Sequence, residues 1–258
     1  MFRRIRIFFL LLLLLLVGLS ALLDRYYSSR WDVPFVVALY PANGDGSRTA
    51  GQYVESLSAA DFAPLEKFFS HEAHEYGLSL DEPIQLTLAA PLKQLPPLPP
   101  SRNPGPLTAM MWSLHLRWWA WFTPSKPPGP TPRIRLFLLF YDPATHTVLD
   151  HSIGLSKGHL GIANLFATKD ASGSNQVVMA HELLHTFGAT DKYDPMTTQP
   201  LYPDGFAEPE AIPRFPQRYA ELMGGRIPVS TSEARIPDSF NEVMIGPATA
   251  TEIGWLKR

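Results

Sequence analysis

Cysteine is absent from all 258 residues. That excludes disulfides, thiolate zinc ligands and a thiol-based latency switch, and it leaves histidine and carboxylate side chains as the metal-binding set. A dominant charge is also missing. Twenty-two basic residues stand against 24 acidic ones, for a formal net charge of −2, so nothing global points to nucleic acid as a partner. No internal repeat is visible, and no loop has the ligand spacing of an EF-hand. A long apolar run is lacking too. The longest, Ile7 to Leu23, has 17 residues, between the core of a secretory signal and a minimal membrane span.

That run follows Arg3, Arg4 and Arg6 and has no A-x-A cleavage pattern, since Leu19-Ser20-Ala21 places leucine where a small residue is required. The expectation is an uncleaved signal anchor over residues 1–23, with arginines holding the N-terminus in the cytoplasm. A connector (24–31) then leads to a domain (32–258) on the extracytoplasmic side of a membrane. The alternative is a secreted protein released by cleavage.

At 45% hydrophobic residues the chain can bury one sizeable core. Val33 to Tyr40 reads as a strand closed by the turn residues Pro41 to Gly46. Ser58 to Tyr76 reads as a helix, and Ile84 to Ala89 as a second strand. Pro91 to Pro106 and Pro124 to Pro132 flank a segment holding Trp112, Trp118, Trp119 and Trp121. Its readings are a core helix or hairpin, a membrane-interface patch, or a substrate-binding wall. Arg133 to Tyr141 is an apolar strand, Thr147 to Leu155 its apparent return, and Gly158 to Ala167 a further strand. Chain after Asp191 turns proline-rich, with a possible helix over Gln217 to Met223.

The chemistry is concentrated in His181-Glu182-Leu183-Leu184-His185. Two imidazoles four residues apart share one side of a helix and can bind one zinc ion, while Glu182 is placed to take a proton from a water on it. Val177, Ala180, Leu183, Leu184 and Phe187 fall mostly on the other side, toward the core. Ser174 or Asn175 can cap this helix, and Gly188 suits the left-handed position beyond its end. A chain turning back at Gly188 brings Asp191 near the metal as third ligand; Glu221 and Glu242 are the competing carboxylates. His71-Glu72-Ala73-His74-Glu75 lacks a histidine pair at helical spacing and reads as a solvated helix face.

His181-Glu-x-x-His185-x-x-Gly188-x-x-Asp191 resembles the motif of metzincin-type zinc peptidases whose third ligand is aspartate, as in the snapalysin family. The continuation Asp191-Lys192-Tyr193-Asp194 is similar to that of immune-inhibitor-A-like peptidases. The likeness covers Ala180 to Asp194. It implies His181, His185 and Asp191 as zinc ligands, Glu182 as general base and then acid, and a methionine turn at Met223 or Met244. Tyr193 and Tyr219 are candidate donors to a developing oxyanion, against the reading of each as a packed tyrosine with its hydroxyl satisfied. The expected fold is α+β, a zincin-like domain with a mixed sheet, a backing helix and an active-site helix behind a transmembrane helix. The expected function is a membrane-anchored zinc endopeptidase acting on peptide or protein substrates. Its rivals are a zincin-fold binding module without turnover, and an anchored structural protein whose motif is accidental.

Overall fold

In a computed structural model the chain is described over residues 30–100, 105–122, 126–156 and 159–257, preceded by 5–12, 14–15 and 18–19. The first strand, β1 (Phe35–Asn43), is followed by α1 (Arg48–Ser56), α2 (Ala63–Glu75) and β2 (Ile84–Leu88). Next come α3 (Pro106–Phe122), β3 (Ile134–Tyr141), β4 (Ile153–Leu155), β5 (Leu160–Phe166) and α4 (Ser172–Phe187). The strands form one sheet in the order β2-β1-β3-β5-β4, in which only β4 runs antiparallel.

Side-chain alternation along the central strands separates two cores. Leu136, Leu138 and Phe140 of β3 join Val37 and Leu39 of β1 beneath α1, α2 and α4. Phe137 and Leu139 point the other way and join Ala38, Tyr40, Leu160 and Ile162 beneath Leu116 and Ala120 of α3. Covered on both faces, β1 and β3 can be apolar nearly throughout, as parallel strands between helical layers are.

Several expectations are corrected by this arrangement. The α+β architecture behind a transmembrane helix is replaced by a mixed α/β domain, because strands and helices alternate and four of the five strands are parallel. Among the described residues no helix is long and apolar enough to cross a membrane. The signal anchor, and with it single-pass placement of an extracytoplasmic domain, is therefore set aside. At 17 residues the run would reach about 25 Å as a helix, short of a hydrocarbon layer of roughly 30 Å. The connector residues 24–29 and the site of the cleaved-signal alternative lie outside the described residues.

Locally, β4 pairs with β5 rather than returning along β3. The helix expected over Gln217 to Met223 is instead a short strand, β6 (Ala220–Glu221), running into a turn. Two further pieces, β7 (Ile227–Pro228) and β8 (Ala234–Arg235), form a ribbon, and β9 (Val243–Met244) pairs with β6 ahead of α5 (Pro247–Glu252).

Candidate metal centre

The helix that carries the motif is anchored at its start to the sheet. Neither Ser174 nor Asn175 caps it, for Ala171 occupies the cap position without a side-chain bond. Asn175 instead clasps the end of β5, accepting from Phe166 N (3.0 Å) and donating to Phe166 O (2.8 Å). At the other end Gly188 takes φ 105°, a left-handed conformation that glycine adopts without a Cβ penalty. The chain thereby folds back over the last turn and carries Asp191 to the histidines.

There Asp191 Oδ1 lies 3.1 Å from Nε2 of His181 and 3.1 Å from Nε2 of His185. The ligand atoms of the three residues all lie within 4.8 Å of one another, and this is the one such group among the described residues. His181, His185 and Asp191 could therefore bind a metal ion. Each imidazole is oriented from behind. His181 Nδ1–H donates to Leu222 O and His185 Nδ1–H to Ala189 O, both at 2.9 Å. Because a carbonyl can only accept, these bonds place a proton on each Nδ1 and leave each Nε2 as the nitrogen turned toward Asp191. Two imidazole nitrogens facing one carboxylate oxygen call for positive charge between them, from a bound cation or from a proton. Donors about 2.0–2.1 Å from one tetrahedral zinc ion lie roughly 3.3 Å apart, close to the observed spacing.

The electrostatics agree. Burial opposes charge on His181, yet its contact with Asp191 and the nearness of Glu182 raise it to about 9. Burial pushes the Asp191 carboxyl up, but the two histidines win and hold it well below the usual carboxylate range. Glu182 is buried, and its Oε2 has no hydrogen-bond partner. Burial raises this carboxyl to about 6 against the pull of both imidazoles.

The competing carboxylates are engaged elsewhere. Glu221 is fully buried and accepts from Gly224 N (2.8 Å), Gly246 N (3.1 Å) and Thr249 Oγ1 (2.6 Å). Glu242 forms an ion pair with Arg235. The turn that follows Glu221 holds buried Met223 and supplies the Leu222 carbonyl, so this turn rather than Met244 reaches His181. Tyr193 is brought beside His181, with ring centroids 6.2 Å apart, whereas Tyr219 lies under the Arg218 guanidinium. No protein-family model matches the chain, and no curated protein sequence matches it.

Two contributors escaped sequence reasoning. Gly154 in β4 lies so close to the motif helix that a Cβ there would stand 2.3 Å from Glu182 O and 2.4 Å from His185 Cβ. A lone glycine between Ile153 and Leu155 was the available signal, since glycine within a strand often marks close backbone approach. Glu72, read as part of a solvated face, is buried and accepts from Ile245 N at 2.7 Å.

Burial raises Glu72 to about 7, with Glu221 among the neighbouring acids that add to the effect. The folded chain therefore holds this proton more tightly than the unfolded chain does. The resulting stability is complete below about pH 4 and is lost as pH rises through about 7. Glu72→Gln keeps an acceptor for Ile245 N–H without the charge. In urea titrations it is expected to match the parent at pH 4 and to exceed it by roughly 3 kcal/mol at pH 8. A difference between variant and parent that is the same at both pH values would refute this account.

Proposed function

We propose that this protein is a zinc-dependent peptidase, with His181, His185 and Asp191 as the metal ligands and Glu182 as general base. The observation that carries the reading is the convergence of two imidazole Nε2 atoms on one Asp191 oxygen, with the buried, unpartnered Glu182 Oε2 beside His181 in the helix. Two imidazoles and a carboxylate also suit iron(II). What favours zinc hydrolysis is Glu182, because a base within the ligand helix is superfluous to a redox centre. The resemblance of Ala180 to Asp194 to aspartate-ligated zinc peptidases supports the same choice.

When bound, zinc would polarise the scissile carbonyl and acidify water. Glu182 would receive the proton of the attacking water and pass it to the departing amine. A carboxyl raised toward neutrality suits that shuttle, since efficiency is greatest when the catalytic pKa lies near the working pH. Peptide as substrate is supported by β4, which has a strand partner on one side only and lies directly against the motif helix. Such an edge can take up an extended peptide through backbone hydrogen bonds, bringing one of its carbonyls toward the ligand set.

Elemental analysis of the purified chain, followed by assay on a mixed peptide library, tests the proposal. One zinc per chain is expected, with hydrolysis abolished by a chelator and restored by zinc. Asp191→Ala is expected to lose at least tenfold in zinc affinity. Hydrolysis that survives complete removal of metal would sink the reading, and so would recovery of iron in place of zinc.

A further inference from the structure

Helix α3 presents apolar side chains on the side away from its core. Its inner face is accounted for, with Leu116 and Ala120 buried on the sheet and Trp112 and Trp119 half-buried. On the outside, Leu107, Met111, Leu114, Trp118 and Trp121 follow one another at intervals of three or four residues, and Phe122 lies four after Trp118. All six are more than half exposed, Trp118 at 68% and Trp121 at 80%. A stripe with that spacing forms one continuous surface along a helix about 25 Å long. Exposed apolar patches of such extent mark interaction sites.

The charge distribution singles out the partner. From Pro83 to Tyr141 the sequence holds no aspartate or glutamate, but six basic residues: Lys93, Arg102, Arg117, Lys126, Arg133 and Arg135. The rest of the chain has 16 basic residues against 24 acidic ones. The segment that carries the exposed stripe is therefore net positive, six cations with no acid, while the rest of the chain has a net charge of −8. Lys93 and Lys126, on either side of α3 in sequence, are both exposed. The Lys93 segment is tied to the helix, because Trp112 Nε1–H donates to Pro97 O at 3.0 Å, and Leu98 beside it is exposed.

We infer that α3 docks on the surface of an anionic phospholipid bilayer, lying in the headgroup plane with Trp118 and Trp121 inserted. Tryptophan favours this zone because its ring is apolar and its N–H is polar. Cations beside an apolar stripe, with no acid among them, add attraction to anionic headgroups. The other side of α3 is packed on the sheet, so the helix lies on the membrane and does not cross it. This surface is distinct from the metal centre, and the inference stands whether or not the peptidase reading does.

The test is tryptophan fluorescence of the full chain, mixed with phosphatidylcholine vesicles with and without one quarter phosphatidylglycerol and carrying brominated acyl chains. The apolar run at the N-terminus has no tryptophan, and Trp31 and Trp255 pack against each other away from α3, so bromine quenching reports on α3. Quenching is expected with the anionic vesicles. It should be lost in the triple variant Leu114→Gln, Trp118→Gln, Trp121→Gln, whose exposed positions leave the fold intact by circular dichroism. Lys93→Gln with Lys126→Gln should weaken binding to anionic vesicles by about tenfold or more. Absence of quenching in the parent overturns the inference, as does equal affinity for neutral and anionic vesicles. Self-association in sedimentation that shields the tryptophans from brominated lipid would overturn it in favour of a second copy of this chain.

Discussion

On the proposed zinc-peptidase reading, Glu182→Gln is expected to keep the metal and lose peptide hydrolysis by about a thousandfold or more. The size follows from general acid–base catalysis, which contributes roughly two to four orders of magnitude and requires a group that can accept the proton. An amide has nearly the same shape as a carboxylate but cannot take that role. Structural damage should be slight. Glu182 Oε2 makes no hydrogen bond that the substitution could break, and the ligand atoms belong to other residues. The measurement is kcat on a library-derived peptide beside zinc content by elemental analysis. Equal turnover in the two proteins would remove Glu182 from the chemistry. A parent that binds zinc and hydrolyses nothing would make this a metal-binding module instead of a peptidase.

Glu221→Ala should cost roughly 3–5 kcal/mol of folding stability. Its carboxylate is fully buried and answers three buried donors; Gly224 N–H keeps the Glu221 backbone carbonyl as an acceptor, whereas Gly246 N–H and Thr249 Oγ1–H would lose theirs. Leaving a buried donor unsatisfied costs about 1–3 kcal/mol. Relief from desolvating the carboxylate, which burial raises in pKa, returns part of the sum. Glu221 also ties the 221–225 turn to the chain entering α5. Its loss should disturb the Leu222 carbonyl that orients His181, so zinc affinity should fall along with stability. Chemical denaturation at pH 7 with zinc titration reads both effects. Stability within 1 kcal/mol of the parent would show that this clasp is not structural.

Both experiments probe features of unequal visibility in the sequence. The histidine pair, Gly188 and Asp191 were legible because their relation is local. One helix turn and one reversal bring them together, and spacing alone encodes both. The apolar strands β1 and β3 were legible for a similar reason, being buried on both faces. The pairing of β4 was not, because three residues carry too little pattern to choose between β3 and β5 as neighbours. Helix α1 passed unnoticed since only Ala50 and Val54 along it are buried, and Gly51 within it is a poor helix former. Glu221 was weighed as a ligand because a glutamate near a metal motif has two possible uses. Only the three donors around it, two of them from residues more than twenty positions away, decide for the structural one. The apolar N-terminal run was read as an anchor although its 17 residues stand at the lower limit for a span, and no helix among the described residues is long and apolar enough to cross a membrane.

The backbone carbonyls behind His181 and His185 bear on how this centre tolerates change. An imidazole held by an aspartate or a serine can be lost through one substitution at the supporting position. Here the supports are Leu222 O and Ala189 O, which every residue type supplies. A saturation screen should therefore find positions 189 and 222 permissive toward side chains of similar size. Intolerance should fall instead on the residues that set the path of the backbone, Gly188 before one carbonyl and the Glu221–Gly225 turn around the other.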